Sequence, residues 1–401
     1  MKVALIIERI ETWRGGAETS TMQFAGHLAR LGCEVHIVTG TYMPSTPDVR
    51  IVPIHVGRFL KSWRTLLFAR RAAAHVRAAD YDIVHAITPC LDVDVYQPRG
   101  GTVPEMLARN LAICPTNGRR ALKRAAQWFR LKYHMLKRLE RRLLNRRPPP
   151  AVIAISRYVT DQLDRHYAFD SDRIHEIFNG IDPDEADTAQ RREDRQTIRR
   201  HYGLDDDDLV LLCVANNFKL KGVARAIEAL RVLEDGAELL RSGGGKAKLV
   251  VVGGGNPVRY VRLADRLGLA DRVVFAGTSD RTWAFFHAAD MLLHPTYYDP
   301  CSRVVLEALS AGLPVITTRF NGAAERIQDG IHGYVVDAPG DVEAIADRVR
   351  RLNDDTHRHA CARQAATAVE GISMREHADR AHALYRTLLH EKSSTQGGGG
   401  S

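Results

Sequence analysis

The sequence predicts an α/β protein of two doubly wound domains facing across a cleft, and three observations lead there. Short apolar runs alternate with amphipathic helical stretches along nearly the whole chain, the pattern of helices layered on parallel sheets. The alternation restarts near residue 184, just after the turn-forming Asn-Gly-Ile-Asp at 179–182. At 401 residues the chain is long enough for two cores.

The first series opens with VALII (3–7), a buried strand. Trp13-Arg14-Gly15-Gly16 leads from it into an amphipathic helix ending near Leu31. EVHIVTG (34–40) is a strand, 51–54 a short one, 59–79 a helix, and DIVHAI (82–87) another strand. A basic helical stretch fills 119–147 and stops at Arg-Arg-Pro-Pro-Pro, since proline cannot continue a helix. AVIAIS (151–156) resumes the sheet, a helix follows, and 173–182 supply a strand and a turn. In the second series a charged helical linker leads to LVLLCVA (209–215), then to a helix at 222–234. KLVVVGGG (248–255), RVVFAG (272–277), DMLLHP (290–295) and PVITT (314–318) continue that sheet, and 341–353 and 375–391 are helical. The expected division is 1–180, 181–374, and a helix 375–392 packing back on the first domain. Residues 393–401 are Gly- and Ser-rich linker by composition.

Composition narrows the class. No apolar run reaches membrane-spanning length, and MKVALIIERI lacks the basic start and cleavage site of a signal peptide. The six cysteines are scattered with no Cys-x-x-Cys, which points to a reduced compartment and against a disulfide framework or zinc site. Net charge is +9, concentrated in 119–147, where twelve Lys or Arg face one acid, Glu140. Leu122, Ala126, Phe129, Tyr133, Leu136 and Leu143 fall at helical spacing beside that charge, with Trp128 as an added aromatic. Such a helix suits an anionic membrane surface, with Arg119, Arg120, Lys123, Arg124, Trp128, Arg130 and Lys132 facing it. A helix docked on its own domain is the alternative. No nucleic-acid-binding module is recognisable, so no nucleic-acid partner is expected.

The most informative segment is HPTYYDPCSRVVLEALSAGLPVI (294–316). One carboxylate, Asp299, precedes a helix and another, Glu307, sits inside it. A helix N-terminus between them offers backbone N–H groups to a phosphate, while the carboxylates accept sugar hydroxyls. An ordinary Arg303–Glu307 pair spaced i,i+4, with Asp299 as a turn residue, explains the same letters. Lys219 and Lys221 follow a strand and precede a helix, where two ammonium groups suit a departing pyrophosphate or are simply solvated. Gly15-Gly16, Gly253-Gly254-Gly255 and Gly277-Thr278 end strands, where glycine lets backbone approach a ligand or makes the turn. Gly15-Gly16 is not Gly-x-Gly-x-x-Gly, so nicotinamide binding is weakly indicated. Asp92-Val93-Asp94 has a metal-binding spacing but no further carboxylates nearby, so no metal is expected. His85 ends a strand, either facing the cleft or packed.

Taken together these segments resemble the retaining glycosyltransferases of family four, over 1–390. The carriers are the acid-x7-acid segment with Ala-Gly-Leu-Pro-Val, the Gly-Gly-Ala-Glu loop, the Asn-Gly-Ile-Asp turn, Lys221-Gly222 and the Val-Gly-Gly-Gly turn, in that family's order. The start of the chain, the basic helix and 298–317 are most similar to its lipopolysaccharide core glucosyltransferase branch. The resemblance implies a GT-B fold of two Rossmann-like domains and a nucleotide-sugar co-substrate, UDP-glucose foremost, with no other cofactor. It implies that Glu307 binds the ribose and Asp299 the transferred sugar. Lys221, with Lys219 and the backbone of Ser302 and Arg303, would grip the diphosphate. Gly15, Gly16, Gly254, Thr278 and Cys301 would border the donor. Asp299 stands where the family usually has Glu, and Asn216 where it commonly has Arg. In the first domain Asp92, Asp94 or QPRGG (97–101) are candidates for the reacting centre, Asp94 foremost. The expected enzyme is a retaining, metal-independent hexosyltransferase. It acts on a glycolipid or lipopolysaccharide core, in the cytoplasm on the inner face of the membrane. A different donor (GDP-mannose or UDP-N-acetylglucosamine), a sugar-nucleotide epimerase, or a non-catalytic lipid- or nucleic-acid-binding protein remain open.

Overall fold

The computed structural model describes residues 1–10, 16–41, 45–57, 61–114, 116–128, 130–235 and 245–397. They form two compact units, Met1–Gly180 with Ile372–Ser401, and Ile181–Gly371.

The first unit holds β1 (Lys2–Ile7), β2 (Glu34–Thr39), β3 (Val49–Pro53), β4 (Ile83–Ala86), β5 (Val95–Tyr96), β6 (Ala151–Ala154) and β7 (Ile174–Glu176). They form a parallel sheet in the order β3-β2-β1-β4-β5-β6-β7. The second unit holds β8 (Leu209–Val214), β9 (Ala247–Val252), β10 (Val273–Gly277), β11 (Met291–His294), β12 (Val315–Thr318) and β13 (Gly333–Val336). Its order, β10-β9-β8-β11-β12-β13, is also parallel throughout. Each sheet thus grows outward from its first strand, then reverses and grows the other way. Loops leaving the two strands at that reversal diverge and open a crevice at the carboxyl edge, where such sheets bind ligands.

β5 and β13 escape a reading by apolar runs. β5 is two residues long, and β13 starts at a glycine between loops. The basic stretch is two helices, Asn117–Trp128 and Leu131–Leu144, rather than one. Arg130 between them is extended, with φ −86° and ψ 93°. The second helix turns inward and buries Leu139, Leu143 and Leu144. Its Glu140 is also fully buried, accepting hydrogen bonds from the hydroxyls of Tyr96 and Tyr167 and from the Val103 N–H. The first helix buries nothing, and its Leu122 and Trp128 are 74% and 72% exposed. The expected continuous apolar stripe is therefore split, with Leu143 in the core and Leu122 in solvent. Phe129 lies outside the described residues.

The helix Met374–Gly397 belongs to the first unit. It starts with a capping box in which the Ser373 hydroxyl accepts from the Glu376 N–H and the Glu376 carboxylate accepts from the Ser373 N–H. Met374, Ala378, Ala381, Leu384, Tyr385 and Leu388 then pack with Phe24, Leu28 and strand residues in one core. Gly180 lets this helix in, since a Cβ there would lie 2.6 Å from the Met374 Cα. Polar groups are buried with it. Tyr385 hydroxyl meets His85 Nδ1, Gln97 Nε2 donates to His377 Nε2 (3.0 Å), and His377 Nδ1 donates to the Phe178 carbonyl (2.8 Å).

In the second unit His287 sits between Asp184 and Asp194, 2.9 Å from each carboxylate. Arg191 pairs with Asp184 and Arg281 with Asp194, so each carboxylate also has a guanidinium partner. It pins the segment after Gly180 to the helices Thr188–Tyr202 and Thr282–Ala288.

Burial, with the Arg99 charge adding to it, pushes the His377 imidazole from 6.5 down to about 3. The unfolded chain takes up that proton near 6.5 and the folded chain only near 3, so stability is full above that window and lost as pH falls through it. Urea melts at pH 7 and pH 5 should show His377→Asn losing about 2 kcal/mol less than wild type between the two. Parallel losses would mean that His377 titrates normally in the folded protein.

Candidate active site

In the second unit every expected ligand-binding residue except those on the helix Arg303–Ser310 lies in a loop leaving a strand at its carboxyl end. Asn216, Lys219 and Lys221 follow β8, Gly253–Gly255 follow β9, Thr278 follows β10, and Asp299 and Cys301 follow β11. β8 and β11 are the two strands at the reversal of strand order. The structure joins their loops there: Lys221 Nζ pairs with Asp299 Oδ2, and the side chains are 20% and 14% exposed. The Tyr297 N–H donates to the Leu220 carbonyl (2.8 Å), which fastens the two loops beside that ion pair. Gly222 makes the approach feasible. It takes φ +75°, and a Cβ there would sit 2.1 Å from the Pro295 carbonyl oxygen.

Asp299 is held by backbone as well. Its N–H donates to the Phe320 carbonyl and its carbonyl accepts from the Gly322 N–H, both at 2.9 Å. Asn321 between those two residues is fully buried. Its Oδ1 accepts from the N–H groups of Ser302 and Ala323, each at 3.1 Å, and its Nδ2 donates to Thr317 Oγ1 at 3.1 Å. The Ser302 N–H is therefore committed to Asn321, which corrects its expected role as a phosphate donor. Arg303 and Glu307 form the i,i+4 pair, with Nε and a terminal nitrogen of Arg303 at 3.3 and 3.1 Å from one Glu307 oxygen. Glu307 remains 19% exposed, so the pair leaves it open to solvent. Asn216 ties two loops by accepting the Gly254 N–H at 3.2 Å. Thr278 lies beside Gly254, and both are exposed, as is Lys219. Cys301 is buried.

Two residues at this edge carry no signal of their own in the sequence. His294 ends β11 as the one polar residue of an otherwise apolar strand. It is fully buried, with Nε2 at 3.5 Å from Ser302 Oγ and 4.0 Å from Asp299 Oδ2. Asn321 lies three residues past β12 in a stretch with no motif.

The first unit redistributes its candidates. Gly15 lies outside the described residues, and Gly16, exposed, begins the helix Gly16–Arg30 after β1. Arg99 of QPRGG is buried, donates to Gln97, Ser20 and Thr21, and lies over the Phe24 ring. Asp94 is corrected. Its Oδ2 accepts the Val84 N–H (2.8 Å) and Oδ1 pairs with Lys392 (2.8 Å). Lys392 also donates to the carbonyl of Asp82, which precedes β4 and receives the Lys2 N–H at the start of β1. Asp94 thus ties the amino edge of the sheet, away from the crevice. Asp92 sits near it at φ +59°, paired with Arg77 at 2.8 Å. His85 is fully buried against Tyr385, the packed reading. Among the described residues no group of three or more His, Cys, Asp or Glu is placed to hold a metal ion.

Residues 14–185 match the family model described as Glycosyltransferase Family 4, and 194–368 match Glycosyl transferases group 1. The chain belongs to the family 4 glycosyltransferases. It is 26% identical to the lipopolysaccharide glucosyltransferase WaaG of Escherichia coli K12 over 84% of this chain and 86% of that one. It is 28% identical to the D-inositol 3-phosphate glycosyltransferase of Mycobacterium marinum over 94% and 82%. A crystal structure of WaaG matches this glycosyltransferase with a TM-score of 0.79 at 24% identity, covering 96% of this chain and 99% of that one. The crystal structure of Anabaena Alr3699/HepE in complex with UDP and glucose matches with a TM-score of 0.67 at 17% identity, covering 99% of each. The two parallel-sheet units are thus those of the GT-B fold.

Replacing Asn321 by Ala would orphan two buried N–H groups and should lower stability by about 2–4 kcal/mol in urea denaturation. A variant as stable as the parent would show that the loop holds Asp299 by other means.

Proposed function

We propose that this glycosyltransferase moves a hexose, with retention of anomeric configuration, from a nucleoside-diphosphate sugar to an acceptor hydroxyl. UDP-glucose is the foremost donor. The observation that carries the reading is the Lys221–Asp299 pair at the strand-order reversal, with Glu307 open on the next helix. A diphosphate entering this crevice draws Lys221 away from Asp299 and onto its own oxygens. Asp299 is then released to accept sugar hydroxyls. Glu307 accepts the ribose diol with its partly exposed carboxylate. Lys221, with Lys219, neutralises charge on the departing diphosphate, the electrostatic contribution that assists such a leaving group. The two lysines supply the positive charge that a divalent cation would otherwise bring. WaaG by its name is a glucosyltransferase, and Alr3699/HepE binds UDP and glucose on the same fold, which supports this donor class.

The acceptor we propose is a glycolipid such as a lipopolysaccharide core, reached from the cytoplasmic membrane surface. Support comes from the helix Asn117–Trp128, with Leu122 and Trp128 in solvent and Arg119, Arg120 and Arg124 exposed around them. Leu131, Arg130 and Lys132 extend the same character past the break, Leu131 being 52% exposed. No helix among the described residues is long and apolar enough to cross a membrane. Contact along the surface is therefore the mode these helices suit.

Glu307→Ala should weaken UDP and UDP-glucose binding about ten- to hundredfold by calorimetry, the scale of lost hydrogen bonds to a charged group. Unchanged affinity and turnover would remove Glu307 from the site. A panel of UDP-glucose, UDP-N-acetylglucosamine and GDP-mannose, read by nucleotide release with extracted glycolipid, separates transfer from epimerisation without acceptor. Replacing Arg119, Arg120, Lys123 and Arg124 by Gln should lower partition onto anionic liposomes by on the order of a hundredfold. Equal sedimentation would leave these helices as structure alone.

A further inference from the structure

The buried imidazole of His294 has no part in the chemistry described so far, yet it lies under the Lys221–Asp299 pair. It is 0% exposed at the end of β11. Its Nδ1 is buried and has no hydrogen-bond partner. Its Nε2 faces two oxygens, Ser302 Oγ at 3.5 Å and Asp299 Oδ2 at 4.0 Å. A carboxylate accepts hydrogen bonds and the Ser302 hydroxyl can accept too, so an N–H at Nε2 suits both neighbours on that side. A proton on Nδ1 would instead bury a donor with nothing to receive it, the costlier of the two orphans. The environment keeps the ring neutral. Burial first, then the Lys221 ammonium, push its pKa down to about 3, against the pull of Asp299.

We infer that His294 is a positioning residue for sugar recognition, holding its proton on Nε2 and anchoring the Asp299 carboxylate once Lys221 has turned to the diphosphate. The inference rests on the donor reading above and deepens it. At 4.0 Å the contact with Asp299 is longer than a hydrogen bond, as it should be while Lys221 holds the same oxygen. When the ammonium leaves, Oδ2 has Nε2–H as its buried donor. The other oxygen, Oδ1, is then kept toward the sugar. Ser302 Oγ, the second group facing Nε2, fixes the ring plane. His294 thus touches no substrate and acts through Asp299.

The two amide isosteres of histidine separate this role from packing. Gln places its amide nitrogen near the position of Nε2, and Asn near that of Nδ1. His294→Asn should weaken binding of the sugar nucleotide that wild type binds best in the donor panel by about tenfold, with UDP affinity unchanged. His294→Gln should stay within about twofold of wild type for both ligands, because its donor remains on the side facing Asp299. In an Asp299→Asn background, His294→Asn should cause no further loss. Equal loss in the Asn and Gln variants, a parallel loss of UDP affinity, or an undiminished effect without Asp299 would each overturn the assignment. Nitrogen-15 NMR of histidine-labelled wild-type protein reads the tautomer without any substitution. A proton on Nε2 supports the inference, and a proton on Nδ1 overturns it even if both variants fail to fold. Wild-type protein that bound no nucleotide would sink the donor reading, whereas binding without the UDP-versus-sugar split would sink the His294 role alone.

Discussion

Lys221 and Asp299 lie on loops far apart in sequence, and their mutual neutralisation depends on the order of strands beneath them. Because β8 is laid down first and β11 is added on its other side, the loops after these two strands leave in opposite directions. Everything else at the carboxyl edge of the second sheet serves that junction. Gly222 removes a side chain that would strike the Pro295 carbonyl. Asn321 threads hydrogen bonds between the loop after β12 and the helix bearing Glu307. His294 fills the floor. An acid and a base held in contact at a crevice are poised to part when a ligand carries both phosphate and hydroxyl groups.

The first unit uses buried polarity for a different end. His85, Gln97, His377 and Tyr385 are largely removed from water and bonded to one another or to backbone. Each bond crosses between the sheet side of the unit and its terminal helix. The apolar row from Met374 to Leu388 supplies most of the adhesion. The polar contacts fix which turn of that helix meets which strand, since a shift by one turn would strand several donors at once.

Much of this was legible in the letters because both sheets are built of apolar runs separated by helices, a pattern that needs no tertiary knowledge. The acid pair Asp299 and Glu307 could be singled out because a strand, a loop and a helix follow one another locally. Asp94 misled for the converse reason. Its spacing from Asp92 suggests chemistry, but only the return of the chain to the amino edge of β4 and β5 decides which side of the sheet it faces. The break at Arg130 was hidden because no proline or glycine marks it; burial of Leu139, Glu140 and Leu143 turns the second helix inward. Asn321 was invisible as a functional residue because its partner Ser302 lies nineteen positions back along the chain, and His294 because a histidine ending an apolar strand reads equally well as packing.

The first unit is assembled from two stretches of sequence that the second unit separates. Phe24, Leu28, Ile37 and their neighbours share a core with residues 374–388, which follow the whole second unit in sequence. During synthesis on the ribosome the amino-terminal sheet must therefore wait with that face uncovered until the intervening 181–371 unit has emerged. The second unit, continuous in sequence, is the one able to complete its fold first. A nascent chain arrested short of residue 374 would leave a greasy, aggregation-prone flank on the first unit, so that unit cannot close before the whole of the second has been made.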